Sequence, residues 1–303
     1  MRILVTGASG YVGGALLERL ARDRHDLVAF ARDRRRVGGG VRVVEGDAVT
    51  GAGLDAALDG AEVAYFLIHS MEAGAPGAFV AREQEAARRF ARAAVRAGTR
   101  RVVYLGGLVP AGAAPSAHLG SRLAVEETLL AQAPDPVALR ASIVIGAGSR
   151  SFRFLVRLVE RLPVLALPAW RDRRTAPIDG RDVLEYLAAA ATEPAAGGRS
   201  LDIAGPDVLT YGEIVERIRD LMLVGRPSVG LPVSLTPITS RIGAVIGGED
   251  ASLIRPLMDG LATDLLPRTD EARTLFGVRL HRFAAAVERA LRDWEAVEPV
   301  AAR

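Results

Sequence analysis

The chain has 303 residues, half of them apolar and a quarter charged, enough to bury a large core as one elaborated domain or a domain with an appended lobe. It has no cysteine, which excludes disulfides, thiolate nucleophiles and cysteine metal sites, and a formal net charge of +3 scattered along the sequence argues against nucleic acid. Neither lysine nor asparagine occurs, so no Schiff base can form on a lysine side chain and no metal is expected.

The stretches free of Asp, Glu and Arg, such as Val102 to Ser121 and Pro227 to Ser240, are broken by Gly, Pro or polar residues and fail as membrane spans. Met1-Arg2 leads straight into an apolar run without the features of a signal peptide, so a cytoplasmic location is expected.

In chain order, Ile3-Leu4-Val5 reads as a buried parallel strand ending in Thr-Gly, and Val12, Leu16, Leu17 and Leu20 follow at helical spacing. Leu27 to Phe30 and Val41 to Val44 make the second and third strands. Val63 to Ile68 and Val102 to Leu105 flank a long Ala/Arg-rich helix from about Ala78 to Ala97, and Val137 to Leu139 supplies a sixth strand. Helices are expected over Phe152 to Leu162 and Val183 to Ala191. Another spans Tyr211 to Leu223, with Thr210 and Glu213 as its capping box, after a short strand Ser200 to Ile203. Further helices are expected near Ile238 to Ile246, Ala251 to Leu261 and Arg282 to Glu295.

This alternation predicts an α/β fold: a Rossmann-type, doubly wound parallel sheet with a small, mainly helical C-terminal lobe. The expected division is residues 1–224 for the dinucleotide-binding part, with 146–180 contributing to the substrate cleft, and 225–303 for the lobe. Ligand should bind at the carboxyl ends of the strands.

Gly7, Gly10 and Gly13 have the spacing G-x-x-G-x-x-G between the first strand and first helix, within the loop Gly7-Ala8-Ser9-Gly10-Tyr11-Val12-Gly13. Glycine permits the tight turn, the close approach of backbone to a diphosphate and close helix packing, while the helix N-terminus offers unpaired amides. Gly7, Ser9, Gly10, Tyr11, Val12 and Gly13 are therefore cofactor-binding candidates. The second strand ends in Ala31, where an NAD site usually has a carboxylate, and Arg32 follows, then Arg34, Arg35 and Arg36, a run whose other reading is a solvated loop. A guanidinium suits the 2′-phosphate of NADP, so NADP is expected over NAD. Asp33 stands as a displaced ribose acceptor in the other reading, and Asp47, with Ala48, either partners the adenine or caps a turn.

Thr6 to Gly13, Gly46-Asp47, Arg181-Asp182-Val183 and Leu201 to Asp207 together resemble the extended and atypical short-chain dehydrogenases/reductases. Phe66 to Met71 and Pro232 to Pro237 look like segments of the atypical NAD(P)H-binding group related to NmrA-like proteins and the 39 kDa subunit of respiratory complex I. The resemblance places Leu67, His69, Gly106, Ser142 and Ile143 along the cofactor, the last two where backbone contacts the nicotinamide carboxamide. His25 and His281 lie away from that edge.

Active members of the superfamily use Tyr-x-x-x-Lys on the helix after the fifth strand, with a nearby Ser. Here that helix carries His118 and Arg122 at the same spacing, and Gly106-Gly107 stands where the Ser is expected. Arg122 is a candidate both for binding the ribose and for placing positive charge beside the nicotinamide; its other reading is a surface ion pair with Glu126. His118 is either a proton relay or a hydrogen-bonded structural residue. Phe152, Phe154, Leu167 and Trp170 either wall an apolar substrate pocket or pack the core.

The expected function is an NADP(H)-dependent oxidoreductase acting on a small apolar carbonyl, imine or activated alkene. Its alternative is a non-catalytic redox sensor or assembly protein. Sugar-nucleotide epimerase chemistry, which uses the absent Tyr, is disfavoured. The expected partner is a small-molecule substrate, and pairing through outer-layer helices makes a homodimer compatible with the resemblance.

Overall fold

Successive side chains along a strand face opposite ways, and in this chain both sets are apolar. The sheet must therefore be covered on both faces. The computed structural model describes residues 1–68, 78–231 and 260–298. Its main sheet comprises β1 (Arg2–Thr6), β2 (Asp26–Ala31), β3 (Arg42–Glu45), β4 (Val63–Phe66), β5 (Arg101–Gly107), β6 (Val137–Ala141) and a last strand, β11 (Arg199–Ile203). All pair in parallel, in the spatial order β3-β2-β1-β4-β5-β6-β11.

Ile3 and Val5 turn toward the face carrying α1 (Tyr11–Arg22) and α6 (Gly180–Ala190), with Tyr65, Leu105 and Leu139 beside them. Leu4, Phe66 and Tyr104 turn toward α2 (Leu54–Leu58), α3 (Ala78–Arg96) and α4 (Ala117–Gln132). The winding direction reverses between β1 and β4, which opens a crevice at the carboxyl edge between them. Tyr65 locks this region by donating its hydroxyl to the Leu187 carbonyl at 2.8 Å.

The residues after β6, apart from β11, build a second part whose short strands sequence periodicity did not resolve. Three two-stranded sheets form there: β7 (Val144–Ile145) with β10 (Ile178–Asp179), β9 (Arg174–Thr175) with β12 (Leu209–Thr210), and β8 (Leu165–Leu167) with β13 (Ser228–Gly230). They bracket α5 (Arg150–Arg161), α7 (Tyr211–Leu221, with the expected capping box), α8 (Glu271–Phe276) and α9 (Phe283–Glu295). One apolar cluster joins α5, α7 and α9, and Trp294 of α9 lies under the guanidinium groups of Arg153 and Arg157, 4.4 and 4.9 Å from its centroid.

Three aspartates of the motif segments reach across to C-terminal residues. Asp182 accepts the backbone N–H of His281 at 2.8 Å and meets its Nδ1 at 2.6 Å. Asp202 accepts from Arg268 N, and Asp207 from Phe283 N, each at 2.8 Å. The helices expected at 238–246 and 251–261 lie outside the described residues, save for the last two positions. The strand expected to reach Ile68 ends at Phe66 because Leu67 N turns to the Thr6 hydroxyl at 3.2 Å. Among the described residues no helix is long and apolar enough to cross a membrane.

Beneath the crevice, buried Glu126 accepts Arg140 at 2.6 Å and the Ser200 hydroxyl at 2.5 Å. Glu126→Ala leaves the Arg140 guanidinium largely buried without its main partner, a loss of about 3–5 kcal/mol. Denaturant unfolding checks this; a change under about 1 kcal/mol contradicts a buried, paired carboxylate.

Candidate functional site

The crevice begins at a hydroxyl. Buried Thr6 donates to the Tyr65 carbonyl at 2.9 Å while accepting from Leu67 N, so the ends of β1 and β4 are held together just before the glycine loop. Gly7 has φ +67° and passes so near β4 that a side chain would start 2.5 Å from the Leu67 carbonyl oxygen. Gly10 N closes the turn on Gly7 O at 2.9 Å, and a Cβ on Gly13 would fall 2.3 Å from that same oxygen.

The result aims α1 end-on at the cleft. Gly10 caps α1 with no side-chain hydrogen bond, and its first turn carries no acidic residue. The first-turn amides are left for an anion, in the positive end of the helix field. This is the geometry a dinucleotide diphosphate requires, so the chain's own loop fits the cofactor that the glycine spacing implies.

Most of the other expected site residues that are described line the same cleft, whose volume is about 990 Å³. Ser9, Tyr11 and Val12 flank the loop. Arg32, Asp47 and Ala48 lie at the end toward β2 and β3, where Arg36, the last of the arginines that follow Arg32, joins them. Asp33 does not contribute to the lining: its carboxylate accepts Arg35 N and Nε, both at 3.0 Å, and these bonds hold it below the usual carboxylate range. Asp47 Oδ1 caps its own turn through Val49 N at 2.7 Å, so the turn reading holds for that oxygen.

Leu67, Gly106, His118, Arg122, Ser142 and Ile143 line the opposite end. Arg122 does not pair with Glu126, which Arg140 and Ser200 occupy. Its Nη2 donates to the Leu105 carbonyl at 2.6 Å, and its Nε is buried without a hydrogen-bond partner among the described residues. It passes alongside Gly107, where a Cβ would stand 3.7 Å from that Nε. His118 is half-buried in the first turn of α4, beyond the Ser116 cap. His69 lies outside the described residues.

Tyr11 closes the cleft from the side. Its ring fills the space over Gly146 and Gly148, where added Cβ atoms would lie 1.8 Å from its hydroxyl and 2.4 Å from Cδ2. Burial, assisted by the Asp179 carboxylate, pushes its phenol up to about 12, so it remains a neutral donor. Of the aromatic segment, Phe154 lines the cleft, whereas Phe152, Leu167 and Trp170 are core residues. Thr175, Tyr211 and Leu265 also line it, and periodicity offered no signal for them because they sit in two-residue strands, at a helix start and beyond a connection.

Residues 1–219 match the family model described as the NmrA-like family. The ceramide reductase of Caulobacter vibrioides is 30% identical over 268 residues, covering 86% of this chain and 81% of that protein. The (4-alkanoyl-5-oxo-2,5-dihydrofuran-3-yl)methyl phosphate reductase of Streptomyces griseus is 30% identical over 241 residues, 74% of each chain. Among solved structures, the Bordetella bronchiseptica enzyme WbmG in complex with NAD superposes with a TM-score of 0.76 at 18% identity, covering 99% of this chain and 95% of that one.

Gly13→Ala has no room for its methyl group unless the loop moves. The affinity for NADPH in titration calorimetry should fall at least about ten-fold, about 1.4 kcal/mol, with cooperative unfolding retained. Wild-type affinity in this variant would remove the loop from the binding site.

Proposed function

Because the chain belongs to the NmrA-like family, with residues 1–219 matching its model, we propose that it is an NADPH-dependent reductase of an apolar carbonyl, imine or activated alkene. The observation that carries this reading is the continuity of one cleft, from the uncapped amides of α1 to the apolar wall at Phe154, Leu155 and Leu265. A cofactor laid across the amides has its reactive end directed toward a pocket for an apolar molecule. The names of the two relatives support reduction, one of a ceramide and the other of an alkanoyl-bearing phosphate ester.

The preference for NADPH over NADH rests on the end near β2. Arg32 and Arg36 are exposed on the cleft wall, Ala31 replaces a carboxylate, and Asp33 is committed to Arg35. Paired guanidinium hydrogen bonds would hold a 2′-phosphate there.

When bound, the nicotinamide supplies a hydride. Arg122 takes the place of the absent lysine: its Nη2 is anchored on Leu105 O, and its buried Nε remains available to a ribose hydroxyl. Its fixed positive charge favours negative charge developing on a substrate oxygen. His118, on the same face of α4 one turn earlier, is positioned to pass a proton to that oxygen or to a nitrogen. Tyr11 and the β7–α5 connection, packed against each other at Gly146 and Gly148, border this part of the cleft. The non-catalytic reading draws on one observation, that Gly106-Gly107 and the His118/Arg122 pair stand where the superfamily has Ser, Tyr and Lys.

The test is a substrate panel of medium-chain ketones, cyclic imines, enones and butenolides, followed by NADPH absorbance. Turnover of at least one is expected, with His118→Ala lowering kcat about 100-fold or more at unchanged NADPH affinity. Arg32→Ala should weaken NADPH about ten-fold and leave NADH within about two-fold. Tight NADPH binding with no turnover across the panel would shift the assignment to a sensor.

A further inference from the structure

Beyond the cofactor half of the cleft, three hydroxyl groups converge on an otherwise apolar wall. Ser142 follows β6, Thr175 ends β9 and Tyr211 opens α7. The Ser142 and Thr175 hydroxyls are 3.0 Å apart, one donating to the other. Tyr211 is 1% exposed, and its buried hydroxyl faces Thr175 without making a hydrogen bond of good geometry to it or to any other described residue. It lies beside Thr175, whose hydroxyl is already shared with Ser142.

The phenol is held rigidly. Tyr211 N donates to the Arg173 carbonyl at 2.9 Å, Thr175 pairs with Leu209 between β9 and β12, and the Tyr211 ring meets Trp170 edge-on at 6.3 Å. A buried hydroxyl whose only polar neighbour is poorly aligned and already engaged recovers little of its desolvation cost, and is no better for stability than phenylalanine at the same place. Trp170 Nε1 is also buried and unpartnered, but Trp170 does not line the cleft, whereas Tyr211 does. Folding alone gives no reason for this oxygen.

Its surroundings also select the kind of group it would meet. The trio contains no cation, and the charge that acts on Tyr211 is the carboxylate of Asp264, which itself pairs with Arg174 at 3.0 Å. Phe154, Leu155 and Leu265 complete the wall. A carboxylate or phosphate held by these three hydroxyls would lose hydration without gaining a countercharge from them, Arg150 lining the cleft at the start of α5 and not within the trio. A ketone, ester or alcohol oxygen on an apolar chain would gain a donor and lose little.

We propose that Tyr211, backed by Ser142 and Thr175, is a specificity-determining residue that donates its hydroxyl to a neutral oxygen of an apolar substrate. This deepens the reductase reading and rests on it for the identity of the ligand as substrate. Burial raises the phenol above its ordinary value, so it acts as a donor across the neutral range.

The test compares wild type with Tyr211→Phe, using decan-2-one and decanoate as probes with the cofactor present. Tryptophan fluorescence follows binding, since Trp170 touches the ring that changes. The expected result is a Kd for decan-2-one raised about three- to ten-fold in the variant, as for loss of one neutral hydrogen bond. Decanoate should bind both proteins more weakly than the ketone, NADPH affinity should be unchanged, and the melting temperature of Tyr211→Phe should equal or exceed that of wild type. Decan-2-one binding no more tightly to wild type than to Tyr211→Phe, absence of binding to either included, overturns the proposal. A lowered melting temperature accompanied by equal loss for both probes overturns it as well, because it marks a structural hydroxyl. Failure of NADPH turnover in the wild type removes the reductase reading separately and leaves this binding comparison intact.

Discussion

The position of one carbonyl oxygen governs the site. Gly7 O accepts the Gly10 amide and lies where any side chain on Gly13 would begin, so the loop can close only with glycine at that position. The same closure brings Gly7 against the Leu67 carbonyl and leaves α1 pointing its first-turn amides into the gap between β1 and β4. Thr6 fixes that gap from below with two hydrogen bonds. The end of the cleft suited to a diphosphate and the direction of α1 both follow from this contact, and the opposite end, proposed for substrate, is built outward from it by the residues after β6.

Much of this was readable before any coordinates, for a physical reason. Strands buried on both faces produce continuous apolar runs such as Ile3-Leu4-Val5, and helices covering them produce spaced ones such as Leu16, Leu17 and Leu20. Elements that depend on neither pattern were missed. The helix Leu54–Leu58 is too short for a period, and β7, β9, β10 and β12 have two residues each. Thr175 and Tyr211 reach the cleft through such elements, which explains why the polar corner they make was invisible while the glycine loop was conspicuous. The fate of Glu126 was hidden likewise, since its partner Arg140 is on a strand fourteen positions away instead of one helical turn back.

The wall beside α4 shows how a site can keep charge placement without the usual titrating amine. Arg122 is tied by Nη2 to the end of β5, which fixes its plane, and the Glu126–Arg140 pair beneath it keeps a second guanidinium occupied. The Gly106-Gly107 backbone leaves room for this arrangement, with the Gly107 position open to the Arg122 stem. A guanidinium stays protonated at any working pH, so it can bind and polarise but cannot take up or release a proton. In the proposed reduction, proton delivery would then fall to an imidazole, a phenol or water.

The three carboxylates that reach C-terminal backbone amides carry a separate implication. Asp182, Asp202 and Asp207 each receive an amide from the segment between Arg268 and Phe283, so that part is fastened by anions rooted in the sheet-bearing half. A chimaera that exchanged the chain from residue 268 onward with that of a relative would have to present those amides in the same places, or leave acidic groups stripped of their backbone donors. Segment exchange is therefore constrained by these three anchoring points, and surgery confined to the stretch after Asp207 and before Arg268 respects them.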